Sequence, residues 1–226
     1  MKQFFKLLLI GITNPFYNLG LGALELSRFW RCGWWWRLRA LLFLFYLADS
    51  PFAVIRREGP RAPVRVENLV YGETPCLTMQ KILAELRPDS NDHFIDLGSG
   101  RGLTVFFVRF YSNIPATGIE VVPTFVRRAQ KVVRLLGLSG IDFIQENLSW
   151  ILEEQIEKGT IFYLAGTTFQ DELLDKIALR LERLRPGVRL VTLSEAFPSE
   201  QFRVTAVKPY YFSWGKTDVY FQEKVV

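Results

Sequence analysis

"HFIDLGSGRGLTVFF" occupies residues 93–107. A short apolar run ends at Asp96, glycines follow at 98, 100 and 102, and an apolar stretch resumes. The first run has the length of a buried strand, and "LTVFFVRFY" (103–111) reads as a helix. Glycines between the two leave main chain uncovered, and the amides at a helix start are offered to a ligand. Something therefore packs against backbone here. The G-x-G-x-G spacing is tighter than the G-x-G-x-x-G of dinucleotide binders. No Lys with Ser/Thr follows in the manner of a phosphate-binding loop, which argues against a nucleoside triphosphate.

Working outward, "PCLTMQKILAEL" (75–86) has helical spacing and stops before Pro88. "ATGIEV" (116–121), "IDFIQEN" (141–147), "TIFYLAG" (160–166) and "VRLVTL" (188–193) read as strands. "TFVRRAQKVVRLLGL" (124–138) and "QDELLDKIALRLERL" (170–184) are amphipathic helices. The tail, "FRVTAVKPYYFSW" (202–214) and "KTDVYFQEKV" (216–225), reads as two long antiparallel strands joined at Gly215. The pattern predicts an α/β fold with a seven-stranded, mostly parallel sheet covered on both faces. The closing strand pair separates it from dinucleotide dehydrogenases.

A ligand in such a sheet lies beyond the carboxyl ends of the strands. Gly98, Ser99, Gly100 and Gly102 are there. Glu120 ends the second strand, eighteen residues after Gly102, where a carboxylate accepts ribose hydroxyls. Asn147 follows the third strand and suits an adenine amino group, with Leu148 against the ring. Asp96 either orients the loop or meets a cationic ligand end. Adenine, ribose and a charged amino-acid tail without phosphates describe S-adenosylmethionine. One histidine, His93, and two cysteines, Cys32 and Cys76, offer no metal site and no disulfide framework, and fit a reducing compartment.

Charge is unevenly placed. Residues 1–70 hold ten Lys/Arg against four Asp/Glu, and residues 71–226 eighteen against nineteen. A basic stripe for nucleic acid would sit on the catalytic domain itself, so no nucleic-acid partner is expected. Apolar blocks, "MKQFFKLLLIGITNPFYNLGLGALEL" (1–26) and "ALLFLFYLADSPFAVI" (40–55), flank the aromatic, basic "RFWRCGWWWRLR" (28–39). Asn14, Pro15, Asp49 and Pro51 break runs already short for a spanning helix. The expectation is a helical segment, 1–58, lying in the interface of an anionic membrane on its cytoplasmic face. A helical cap packed on the catalytic domain and a transmembrane anchor are the alternatives. Residues 59–70 read as a linker, and 71–226 as the catalytic domain.

"YGETP" (71–75), "FIDLGSGRG" (94–102), "GIE" (118–120), "ENLS" (146–149), "TIFYLAGTTF" (160–169), "RPGVRLVT" (185–192) and "SWGKTDVYF" (213–221) occur in the order found in the non-SET histone-lysine methyltransferases, the disruptor-of-telomeric-silencing family. The chain resembles that family over roughly residues 68–222. "DLGSG" is shared widely, whereas "YGET" with the closing "SWGK" is far more specific. The resemblance implies a Rossmann-like class I methyltransferase that uses S-adenosylmethionine. It implies that Tyr71, Gly72, Glu73 and Thr74 close over the methionine end of the cofactor. It also implies that Trp214 and Tyr220 help wall a channel for a target lysine. The family's asparagine pair after the fourth strand is absent. Ala165 and Gly166 stand there, with Thr167 and Thr168 the nearest polar groups. Tyr71, Phe169, Tyr211, Trp214 and Tyr220 are candidates for the channel wall, and Glu73 for ordering the loop or meeting the cofactor ammonium. The expected activity is protein-lysine methylation, with a methyltransferase of a small apolar molecule (quinone or lipid) or a non-catalytic membrane scaffold as alternatives. Nothing in the sequence points to an oligomeric state.

Overall fold

Phe94–Leu97 forms β1, and all four residues are buried, as a strand without polar alternation requires. A computed structural model describes residues 17–64, 66–69 and 71–226. In it β1 pairs in parallel with β2 (Ala116–Glu120) on one side and β4 (Ile161–Leu164) on the other. β3 (Ile141–Gln145) extends one edge and β5 (Arg189–Leu193) the other, again in parallel. β6 (Phe202–Phe212) and β7 (Gly215–Lys224) close the sheet as an antiparallel pair, giving the order β3-β2-β1-β4-β5-β7-β6. The expected fold class is observed.

Short helices precede and connect the strands, and three of them end on a left-handed residue that stops the helix. α4 (Cys76–Leu86) ends in a left-handed Arg87 before Pro88, and α6 (Pro123–Leu136) starts on proline and ends at left-handed Gly137. α4, α5 (Leu103–Ser112) and α6 cover one face of the sheet. The short α7 (Glu153–Ile156), a 3-10 turn at Leu148–Trp150 and α8 (Asp171–Leu181) serve the other.

α5 is unusual for a surface helix, because six consecutive residues from Leu103 to Val108 are buried. A helix apolar all round needs cover on both sides. The sheet supplies one side and an N-terminal helical layer the other. That layer comprises α1, described over residues 17–29, α2 (Gly33–Tyr46) and α3 (Pro51–Glu58). Trp34 stacks on Phe110 at 5.0 Å, and Phe29 meets Phe107 edge-on at 5.6 Å. Trp35, Leu38, Leu42 and Tyr46 recur along the inner stripe of α2 and join the same core. Polar ties reinforce the packing. Glu25 accepts from the Leu77 amide at the start of α4 (3.4 Å), Arg128 reaches Asp49 (2.8 Å), and Glu58 accepts from the Thr124 amide at the start of α6 (3.1 Å).

The boundary expected at residue 58 does not coincide with a gap in the packing, because one face of the helical layer lies in the domain core. The 59–70 linker contains two short 3-10 turns, Gly59–Arg61 and Val66–Leu69. The first apolar block, with Lys2, Lys6, Asn14 and Pro15, falls outside the described residues up to position 16.

Candidate active site

A cavity of about 330 Å³ opens beyond the carboxyl ends of β1, β2 and β4, where an open parallel sheet offers its ligand crevice. Its floor is the glycine loop. Gly98, Gly100 and Gly102 have φ of +92°, +53° and +82°. At Gly102 a Cβ would lie 2.4 Å from the Phe143 ring, so this position has no room for any other residue. The amides of Gly98 and Ser99 donate to the Ile119 carbonyl at 2.9 and 3.1 Å. The Glu120 carboxylate accepts from the Gly100 amide and the Val122 amide, both at 2.8 Å. The loop is thereby strapped to the end of β2.

Two acids lie buried together in this floor. Burial, and then the neighbouring Glu120 charge, push the Asp96 carboxyl up to about 8. Burial also raises Glu120, opposed by the backbone amides of Val122 and Gly100. Ser99 Oγ is buried beside them with no hydrogen-bond partner among the described residues, and it lines the cavity. Asn147 Oδ1 accepts from the Ser149 amide (2.9 Å), and its Nδ2 donates to the Pro63 carbonyl (2.8 Å). The carboxamide is held at the rim with one oxygen lone pair free to accept a ligand donor. Leu148 is buried against the same cavity.

The roof comes from elsewhere in the chain. Tyr71 lies over the glycine loop, 3.4 Å from where a Gly100 Cβ would stand, and its Oη donates to Glu73 Oε1 at 2.7 Å. Arg101 donates to both Glu73 oxygens, at 2.8 and 2.6 Å. Thr74 Oγ1 and Tyr163 Oη share a hydrogen bond of 2.6 Å. Ser213 Oγ donates to the Glu73 carbonyl at 3.2 Å, which fixes the β6–β7 hairpin tip against this loop. Trp214 at the tip presses on Gly72, where a Cβ would lie 2.5 Å from the indole. α1 holds the tip from outside, through Tyr17 Oη to the Phe212 carbonyl (2.9 Å) and Asn18 Nδ2 to the Ser213 carbonyl (3.1 Å).

Asp96, Gly98, Ser99, Gly100, Glu120, Asn147, Leu148, Tyr71, Gly72, Glu73, Thr74, Thr167, Thr168, Phe169 and Trp214 all line one cavity. Gly102 supports the loop from beneath. Thr167 and Thr168 are exposed at the mouth. At Gly166 a Cβ would lie 2.6 Å from the Phe169 ring, so the side chain missing from this position is replaced in space by that aromatic ring. Of the two roles open to Glu73, the structure shows loop ordering, since Arg101 and Tyr71 occupy its carboxylate.

Tyr220 is a correction. It pairs with Thr192 and Val207 within the sheet, between Val219 and Phe221 of the core, and does not line the cavity. Tyr211 is exposed and meets Tyr17 instead, with ring centroids 6.5 Å apart. Sequence reasoning missed Arg101, Tyr163 and Asn68, which also line the cavity. A tyrosine inside the apolar "IFYL" strand was the one available signal, because a buried hydroxyl needs a partner.

Residues 64–210 match the family described as histone methylation protein DOT1. The chain belongs to the DOT1 family. Membership bears out the recognition, the methyltransferase class and the S-adenosylmethionine cofactor expected from the sequence. Among curated proteins, the chain is 29% identical over 149 residues to the H3 lysine-79 specific histone-lysine N-methyltransferase of Drosophila melanogaster. That alignment covers 60% of this chain and 8% of the fly protein. Among solved structures, an RNA methyltransferase from Salinibacter ruber, in complex with S-adenosyl-L-homocysteine, superposes with a TM-score of 0.56 at 23% identity. The match covers 68% of this chain and 94% of that one. TrmN from Thermus thermophilus gives 0.60 at 14% identity, over 70% of this chain and 52% of that one. These structural likenesses concern the fold.

Proposed function

We propose that this DOT1-family chain methylates the side-chain amine of a protein lysine. The family match carries the reading, since residues 64–210 include the glycine loop and most of the roof. The cavity suits S-adenosylmethionine. The paired buried acids, Asp96 and Glu120, favour a ligand that brings positive charge and hydroxyl donors, and Ser99 Oγ is left for a ligand to satisfy. Asp96, Ser99, Glu120, Asn147, Leu148 and the bare main chain at 98–102 would hold it. When bound, the cofactor supplies an activated methyl group.

The protein's own part is to align the acceptor and strip it of water. A lysine amine is protonated at neutral pH, with an ordinary pKa of about 10.4. Tyr71, Phe169 and Trp214 around the mouth disfavour the ammonium by desolvation. The amine gives up one proton for each methyl it gains.

We place the enzyme at the cytoplasmic face of a membrane. The support is the basic excess of residues 1–70 together with the outward residues of the helical layer. Trp30, Trp36, Phe43, Leu44, Leu47 and Phe52 are all exposed, beside Arg31, Arg37 and Arg56. Among the described residues no single helix is long and apolar enough to cross a bilayer, although Gly33–Tyr46 and Pro51–Arg61, bent by 46°, pass that test together.

One experiment tests both parts. Purified enzyme is incubated with methyl-labelled cofactor and either membranes or soluble extract of its host. Label recovered as methyl-lysine in a membrane protein is expected. Label in the organic extract would replace lysine by a small apolar acceptor, and equal labelling of soluble proteins would remove the membrane placement.

A further inference from the structure

Arg101 stands between Gly100 and Gly102, in a loop that otherwise presents backbone and one small side chain to the cavity. Nothing about cradling a nucleoside asks for a guanidinium there. Its fork engages both oxygens of Glu73, at 2.8 and 2.6 Å, and Tyr71 Oη donates to the same carboxylate. The Arg101 and Glu73 side chains are only 14% and 25% exposed. Such a pair is partly shielded from water, and losing one member strands the other's charge. The guanidinium also lies 5.0 Å from the Tyr46 ring, whose centroid is 4.6 Å from the Arg128 guanidinium. Arg128 in turn pairs with Asp49. Arg101 is therefore fixed from behind by α2 and α6.

We propose that Arg101 is a positioning residue, a latch that holds the 71–74 loop over the cavity and sets how fast cofactor and product exchange. The proposal rests on the cofactor reading given above. The geometry carries it because one carboxylate gathers two lining groups, Tyr71 from the roof and Arg101 from the floor. Releasing Arg101 leaves the half-buried Glu73 without its cation and frees Tyr71 from its place over Gly100. Opening of the roof is then the step that ligand exchange waits for.

The test compares Arg101→Gln, Glu73→Gln, the double variant and Arg101→Lys in the full chain. S-Adenosylhomocysteine should dissociate at least tenfold faster from each Gln variant. The double variant should be no worse than the worse single one, and Arg101→Lys, which keeps the charge and loses the fork, should lie between. In ligand-free protein, amide hydrogen exchange at 72–74 should accelerate about tenfold in both single Gln variants while β1 keeps its protection. Faster dissociation from Arg101→Gln with none from Glu73→Gln would make Arg101 a direct ligand of the cofactor and overturn the latch. Unchanged exchange at 72–74 would also overturn it. A wild-type protein that binds no cofactor would defeat the methyltransferase reading alone, because the exchange measurement still judges the latch.

Discussion

The glycine loop in the floor of the cavity is tied to the sheet over a short stretch of chain, the 20-residue step from Glu120 to the Gly100 amide. The roof is tied over long ones. Thr74 reaches Tyr163 across 89 residues, Ser213 reaches Glu73 across 140, and Tyr17 and Asn18 each reach the hairpin tip across 195. A β-loop-α-β unit with its glycines completes the floor almost by itself. The roof exists only when both ends of the chain have come together, and each such closure costs entropy that its contacts must offset. The floor is thus assembled locally, whereas the roof depends on the whole fold, including the helical layer.

The largest effect that would sharpen this contrast comes from removing residues 1–58. Phe29, Trp35, Leu38, Leu42, Tyr46 and Val54 are buried in the common core, and without them α5 would show water an apolar face. At about 2 kcal/mol for each large buried side chain, the loss is on the order of 10 kcal/mol, comparable with the whole stability of a domain. The truncated chain is expected to lack a cooperative thermal transition by circular dichroism. A soluble, cooperatively melting product would show that floor and roof both stand without the layer.

The same contrast explains what could be read in advance. The strand at Phe94–Leu97, the glycines and Glu120 are legible because spacing within thirty residues encodes them. The helical layer was harder, because a stripe such as Trp35, Leu38, Leu42 and Tyr46 looks alike whether it faces protein or lipid. The cue lay elsewhere. An α5 with no polar face called for a cover, and the cover could only come from another apolar stretch. Tyr220 was assigned to the channel wall by the family resemblance alone, and nothing in the pattern of its own strand carries that role, since successive side chains there turn to opposite faces. Arg101 was passed over because its partner, Glu73, lies 28 residues earlier, on a loop of no regular structure.

A smaller effect tests the floor alone. The folded-state pKa of Asp96 is raised to about 8, from about 3.9 in an unfolded chain. Between those values the folded state binds the extra proton. The stability this group contributes is therefore fully present below pH 4 and is lost as pH rises toward 8. Ligand-free wild type should lose on the order of 3 kcal/mol between pH 5 and 8 by urea denaturation, and Asp96→Asn should flatten that slope. An equally steep fall in the variant would show that Asp96 and Glu120 do not share an uncompensated site.

The smallest effect concerns Glu120, whose carboxylate straps the loop and lines the cavity. Glu120→Ala should weaken S-adenosylmethionine binding at least tenfold in calorimetry, or about 1.4 kcal/mol. Because its straps are local, hydrogen exchange at 72–74 should stay as in wild type, the reverse of what Arg101→Gln produces there. Unchanged affinity would remove the ribose assignment. Accelerated exchange in the roof would mean that the two halves of the cavity are coupled through the glycine loop, and that the division drawn between them lies in the chain's connectivity and not in its energetics.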